Sequence, residues 1–481
     1  MYPVSLDVPS AAARQDEYLW PGSDLKASPL WRSSPGEQAH VMPMPERLAD
    51  LAADSRWPAF FPSSISLVTT SDGKRLALEK VVGASIVNRF PYVVALSFCK
   101  QALSRKHHPR STFMEILESG GCATIQYLEP GPALRQVMDL ILAIPEDCTH
   151  ARLAATGLAT RPSQTSAAPV FDDAYMAYEA RLVEPTRDFE GRSIYRTPWI
   201  DVGSHRVYFL EITAIQLRRD IAQGRSQIAW RSLPAWEPRQ EVRTHPVFQN
   251  PALARQYTKS YTPHYVFPSA GTVAFEADDL VGDMAVKHLP PLAEDQLEID
   301  NDRARWPCFF PSSAALITTW AEDDCPNVMP CGSTTVLSRH PMVIAPCVSY
   351  SNINQRYSPR STLGSIRRTG RFGCGVPYIH DAIVDAIRYA GNISFASDRQ
   401  KVANSGLEVT SFGSSPLLPA LPIHYDCEVV GEVPLGTHVM FLGEVRSIRV
   451  RDDLNALNPM RWYPWAEVNT AYEAATITAH G

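Results

Sequence analysis

Between residues 327 and 362 the chain gathers groups suited to holding a phosphate. Ser333, Thr334 and Thr335 supply consecutive hydroxyls. Arg360, Ser361 and Thr362 supply a guanidinium and, at a helix start, backbone N–H groups that lack an intrahelical acceptor. Asn327, Met329, Pro330, Cys331 and Gly332 lead into the hydroxyls, and Gly332 lacks a Cβ, so a ligand can approach its backbone closely. Arg356 either reaches the same phosphate or is solvated. His438 is followed six residues later by Glu444, as His205 is by Glu211. Each of these residues also has an ordinary structural use. A Ser-Thr pair before a helix serves as a cap, Asn327 suits a turn, and an isolated histidine is commonly a satisfied structural residue.

The elements that must hold these residues occur twice. Residues 56–70 read RWPAFFPSSISLVTT and residues 305–319 read RWPCFFPSSAALITT, identical at eleven of fifteen positions. Unrelated segments share about one, so the chain contains an internal duplication. HPRSTFMEI (108–116) answers SPRSTLGSI (358–366), TGL (156–158) answers SGL (405–407), and YEARLV (178–183) answers CEVVGE (427–432). GSHRVYFLEI (203–212) answers GTHVMFLGEV (436–445), and even YLWP (18–21) has its echo in YVFP (265–268). The repeating unit is domain-sized and too long for a solenoid. The resulting division is a lead-in (1–17), a first domain with a Pro-rich leader (18–235), a linker (236–264) and a second domain with leader and tail (265–481).

Strands are expected at 65–70 and 314–319, at 92–98 and 342–350, and as long closing strands at 205–217 and 438–450, all rich in β-branched and aromatic residues. STFMEILES and STLGSIRRT each predict one short helix opened by a Ser-Thr cap, and PERLADLAADS a helix before the first copy. The pattern is mainly β with a few helices and points to a barrel in each copy. The RWPxFFPSS element reads as core and turn.

Bulk properties narrow the field. A chain of 481 residues, 45% hydrophobic, can bury two cores. A net charge of −6 with scattered basic residues gives no nucleic-acid or membrane surface. No apolar run spans a bilayer, and the N-terminus lacks an export pattern. Nine cysteines without a CxxC pair read as reduced structural thiols of a cytoplasmic protein, with no metal site. The 40 prolines call for turns and long connections.

The second copy resembles the flavin reductase-like, flavoredoxin-type family of FMN-binding split barrels. The resemblance runs over most of 305–450 through PNVMPCGSTTVLSRHPMV (326–343), TGRFGCGVP (369–377), SDRQKVANSGLEV (397–409) and GTHVMFLGEV (436–445). It implies two tandem split β-barrels forming an intrachain pseudo-dimer, with flavin near the interface, and leaves further dimerisation open. Asn327, Met329, Pro330, Cys331 and Gly332 would then follow the polar edge of the flavin ring. Ser333, Thr334, Thr335, Arg356, Arg360, Ser361 and Thr362 would hold the phosphate, with Arg110 recurring at the first copy's helix start. His438 would lie near flavin or nicotinamide as the catalytic candidate. The first copy departs from the pattern: Ala77 stands for Asn327, Lys80 for Pro330, and Gly83-Ala84-Ser85 for the three hydroxyl residues. One intact flavin site is therefore expected, centred on the second copy and walled by the first.

A bound flavin accepts hydride and passes on electrons, so the protein's task is positioning. No GxGxxG follows a strand, which removes a separate dinucleotide domain. The leading expectation is NAD(P)H:flavin reductase chemistry with FMN, FAD remaining open. A flavoenzyme tailoring a small organic metabolite and a non-catalytic binding protein are the alternatives to a reductase that supplies a partner monooxygenase. Haem is disfavoured, since His438 alone offers an axial ligand in the best-matched strand.

Overall fold

The β-branched runs of the two copies fold into two separate antiparallel sheets with the same strand order. The computed structural model describes residues 32–34, 39–43, 66–81, 83–88, 91–100, 111–128, 137, 140–141, 149–187, 191, 193–222, 277–289, 315–339, 341–349, 360–377 and 381–451. The helix expected at 45–55, both RWPxFFPSS segments, the 236–264 linker, Arg110 and Arg356 lie outside these residues.

The described residues begin with a hairpin, β1 (Arg32–Ser34) and β2 (Ala39–Pro43). The first half then runs β3 (Ser66–Ser71), β4 (Leu76–Val81), β5 (Gly83–Asn88), β6 (Val93–Cys99), α1 (Thr112–Gly120), β7 (Cys122–Leu128), α2 (Thr149–Thr156), β8 (Ala174–Leu182) and β9 (His205–Arg218). A second hairpin, β10 (Asp279–Val281) and β11 (Met284–His288), precedes the second half. That half runs β12 (Ala315–Trp320), β13 (Pro326–Cys331), β14 (Thr334–Arg339), β15 (Met342–Ser349), α3 (Ser361–Thr369), β16 (Arg371–Val376), α4 (Asp381–Asn392), α5 (Lys401–Asn404), β17 (Ile423–Pro434) and β18 (His438–Arg451). No helix among the described residues is long and apolar enough to cross a membrane.

In each half the long last strand closes the sheet on itself, because its two ends pair with different neighbours. The start of β18 pairs with β15, while the full strand pairs with β17, and the start of β9 pairs with β6 while its remainder pairs with β8. These are the two split barrels of a mainly β fold. The registers refine the sequence matching at one point. Tyr178 pairs with Ile215 and Tyr425 with Ile448, so Tyr178 corresponds to Tyr425 and not to Cys427. A second bulge, between Val429 and Gly431, adds to the offset further along β17.

Alternate side chains of the closing strands serve different cores. Tyr208 and Leu210 enter the first barrel, and Val439 and Phe441 the second. Val207, Phe209 and Met440 instead meet Val93, Ala95, Leu337, Val343 and Ala345 in an apolar seam between the halves. Matched polar bonds cross this seam about an approximate two-fold axis. The Thr437 N–H donates to Asn88 Oδ1 at 2.8 Å, and the Ser204 N–H donates to Ser338 Oγ at 3.3 Å. Ser97 Oγ also donates to the Leu337 carbonyl at 2.6 Å.

The hairpins are exchanged between halves. β2, which precedes the first half, pairs with β18 of the second; β11, which precedes the second, pairs with β9 of the first. Both helices end in a left-handed glycine that returns its N–H to the last turn, Gly121 to Leu117 and Gly370 to Ile366. Their starts differ. Ser111 caps α1 through the Met114 N–H, as expected, whereas α3 has Arg360 at the cap with no side-chain bond, and Ser361 is already helical. The expected Ser-Thr cap is absent there because the helix begins one residue earlier in the matched frame, and Thr362 bonds Asn327 instead.

Close packing at the seam constrains Gly83, where a Cβ would lie 2.8 Å from the Val336 carbonyl oxygen and 3.0 Å from Ser97 Cβ. Gly83→Ala is expected to destabilise the protein by roughly 1–3 kcal/mol in urea unfolding, because the clash is with backbone of the other half.

Candidate functional site

Strand β13 presents the predicted residues in alternation. Asn327 lies opposite Thr319, Pro330 opposite Leu316 and Cys331 opposite Ala315. Asn327 is only 1% exposed, and its Nδ2 donates to Thr362 Oγ1 at 3.0 Å in the first turn of α3. Its Oδ1 is buried without a hydrogen-bond partner, and so is Thr319 Oγ1 directly across the ladder. Such an orphan costs on the order of 1–3 kcal/mol, so the pair marks a place where a donor is wanted. Met329 packs against the second barrel's core, half-buried. The thiol of Cys331 is buried, and that burial raises its pKa, so it packs and is not poised to react.

The turn after β13 holds Gly332 and Ser333, half-buried, with the Ser333 carbonyl accepting from the Cys347 N–H at 2.8 Å. Thr334 Oγ1 donates to the Cys331 carbonyl at 3.2 Å and so closes the turn. Thr334 and Thr335, both buried, are successive residues of β14 and face opposite sides of the sheet. The three hydroxyls therefore do not form one cluster.

At the sheet end, Arg360 Nε donates to Ser349 Oγ at 3.3 Å, and Ser349 lies opposite His438 in the β15–β18 ladder. Arg360 and His438 are thus brought to the same end of the second barrel. Residues of the first half reach the turn that carries His438. Tyr195, held at φ +50°, donates its hydroxyl to the Leu435 carbonyl at 3.2 Å, and Asn88 accepts from Thr437.

Sequence reasoning passed over Lys401, in α5. This side chain is 4% exposed, and no described residue hydrogen-bonds its ammonium. Burial pulls its pKa down to about 7, the positive charge of Arg360 adds to the shift, and Asp398 opposes it. The sequence did hold a signal, since the TGL/SGL match places Arg152 and Lys401 at the same point in the two copies. In the first half, however, Arg152 is neutralised by Glu79, with its Nη1 2.7 Å from the carboxylate. Glu79 takes the register position of Met329, and Ala77 that of Asn327. The half that keeps an orphan amide oxygen also keeps an unneutralised buried ammonium.

Residues 307–466, about a third of the chain, match the flavin reductase like domain. No curated protein matches the chain. Among solved structures, flavoredoxin from Methanosarcina acetivorans is 19% identical, over 28% of this chain and 67% of its own, at a TM-score of 0.25. Flavoredoxin of Desulfovibrio vulgaris (Miyazaki F) is 24% identical, over 29% and 70%, at 0.25. The FMN-binding protein from Thermus thermophilus with bound p-hydroxybenzaldehyde is 19% identical, over 29% and 72%, also at 0.25.

A lysine whose folded pKa is near 7 and whose unfolded pKa is about 10.4 binds its proton more readily when unfolded. Its destabilising effect is complete below pH 7 and is relieved as pH rises through the alkaline range. Lys401→Met is therefore expected to stabilise the ligand-free protein at neutral pH. It should also flatten the rise in stability between about pH 7 and 10 seen in urea titrations of the parent.

Proposed function

We propose that this chain is a flavin-dependent oxidoreductase with NAD(P)H:flavin reductase chemistry, holding one FMN at a site centred on its second half. The observation that carries the reading is the contrast between the halves at one matched point. Lys401 is buried with no counter-ion bonded to it, while Arg152 is already neutralised by Glu79. A desolvated ammonium beside a guanidinium asks for an anion, and a phosphate supplies the charge. The first half meets the same need internally and has no call for one.

The residues present fit such a group. Lys401 and Arg360 would hold the phosphate, and Asn327 Oδ1 would accept a hydrogen bond from a ring N–H. Gly332 would admit the ring edge to the backbone. His438, at the sheet end shared with Arg360, would stand beside the reacting region. When bound, flavin supplies hydride acceptance and onward electron transfer, and the protein supplies orientation and electrostatics. NADH or NADPH would be the reductant. Reduced flavin would serve a partner monooxygenase or, if it stays bound, a small organic substrate. The free thiols of Cys122, Cys325, Cys331, Cys347, Cys374 and Cys427 suit a cytoplasmic protein.

The visible spectrum on adding FMN tests the reading: bands that saturate at one flavin per chain and bleach with NADH or NADPH are expected. Two flavins per chain, or none, would overturn it. Lys401→Met is expected to weaken FMN binding by roughly ten- to a hundredfold while leaving riboflavin binding unchanged, since only FMN carries the phosphate. Equal losses for both ligands would remove Lys401 from the phosphate site.

A further inference from the structure

We infer that Asn88 of the first half is a positioning residue for His438 of the second, acting through Thr437 to hold the imidazole as its Nδ1–H tautomer. Asn88 lies on β5 at the seam, 1% exposed. Its amide has only one consistent orientation. Nδ2 donates to the Pro91 carbonyl at 2.9 Å, and Oδ1 accepts from the Thr437 backbone N–H at 2.8 Å. Turning the amide over would set N–H against N–H and oxygen against oxygen.

The same Oδ1 meets the Thr437 hydroxyl. An amide oxygen only accepts, so the single hydroxyl proton of Thr437 is committed to Asn88. Thr437 Oγ1 also lies 2.7 Å from His438 Nδ1. With its proton already given away, Oγ1 can only accept there, and Nδ1 must carry the hydrogen. The direction of donation is thus set along the whole relay, from His438 through Thr437 to Asn88. In the neutral ring Nε2 then keeps its lone pair and is an acceptor.

The other half builds the matching position from a hydroxyl residue. Ser338 takes the place of Asn88, each just beyond a bulge and opposite Val343 and Val93 respectively. There the contacts are Ser338 Oγ to Ser204 Oγ at 3.4 Å and Ser204 Oγ to His205 Nδ1 at 2.8 Å. A hydroxyl donates as well as accepts, so these two contacts set no direction by themselves. The first half thereby specifies the histidine of the second through an amide. Under the proposed function, on which this one clause rests, Nε2 would offer an acceptor to an amide N–H of flavin or nicotinamide.

Long-range proton–nitrogen spectra of the full chain, labelled with ¹⁵N at histidine and free of flavin, read the tautomer directly. His438→Gln identifies the signals, and the measurement is made on the alkaline side of the histidine titration. The parent is expected to show Nδ1 protonated. In Asn88→Ser the ratio of Nδ1–H to Nε2–H should fall by roughly five- to tenfold, the bias one net hydrogen bond sustains. Thr437→Ser keeps the relay hydroxyl and should keep the parent form, a distinction that loss of packing alone would not produce. If Asn88→Ser fails to fold, the nearly isosteric Thr437→Val removes the relay hydroxyl and should shift the ratio the same way. An Nε2–H parent, or a ratio that none of these changes moves, would overturn the relay. A parent with the expected tautomer that fails to take up FMN would leave the relay standing and overturn the proposed function instead.

Discussion

The approach of β5 to β14 across the seam is the constraint on which the remaining structure depends. There the backbone of one half comes so near the other that Gly83 has no room for a methyl group. Around this crossing, Val93, Phe209, Leu337, Val343 and Met440 bury apolar surface that neither barrel could cover alone. The polar bonds of Asn88, Ser97, Ser204 and Tyr195 to the second half fix the register of this contact. The exchanged hairpins then complete each sheet with strands that precede the other half in the chain. The two barrels are consequently one assembly, and the first barrel forms part of the surroundings of the second barrel's candidate site.

Symmetry of the backbone has allowed asymmetry of the side chains. In one half, the buried cation at the end of the sheet is matched by Glu79 and the neighbouring polar position is Ala77. In the other, the cation is Lys401 with no bonded counter-ion, and the polar position is Asn327 with an orphan oxygen. Leaving a charge desolvated and an amide unsatisfied weakens a fold, and natural proteins retain such features chiefly where a ligand compensates them. The first half has removed the same liabilities by internal pairing. The halves differ again at the seam, where the residue facing the histidine turn is the amide Asn88 in one and the hydroxyl Ser338 in the other.

Much of the fold was legible in the sequence because strands and helix ends leave local marks. The β-branched runs at 205–217 and 438–450 became strands within a residue of their expected ends, and Gly121 and Gly370 stop the helices that STFMEILES and STLGSIRRT begin. The matching of Ala77 to Asn327 and Lys80 to Pro330 agrees with the ladder registers. Three features escaped. The match of Tyr178 slipped by two residues, because the connection between the TGL/SGL match and this strand is two residues shorter in the second half. The run Ser333–Thr335 looked like one hydroxyl cluster, but strand alternation sends neighbouring side chains to opposite faces. Lys401 was passed over, because nothing in the polar stretch around it marks a buried side chain.

The sequence by itself determined the duplicated pattern, the mainly β character and the stretch in which a site should be sought, since these follow from side-chain type and period along one segment. Only the tertiary structure decided that the hairpins cross between halves, that Lys401 is buried, and that an asparagine of one half orients a histidine of the other. Backbone pairing carries no side-chain signature, and desolvation and hydrogen-bond direction depend on groups far apart in the chain. Those properties exist only once the two halves have met.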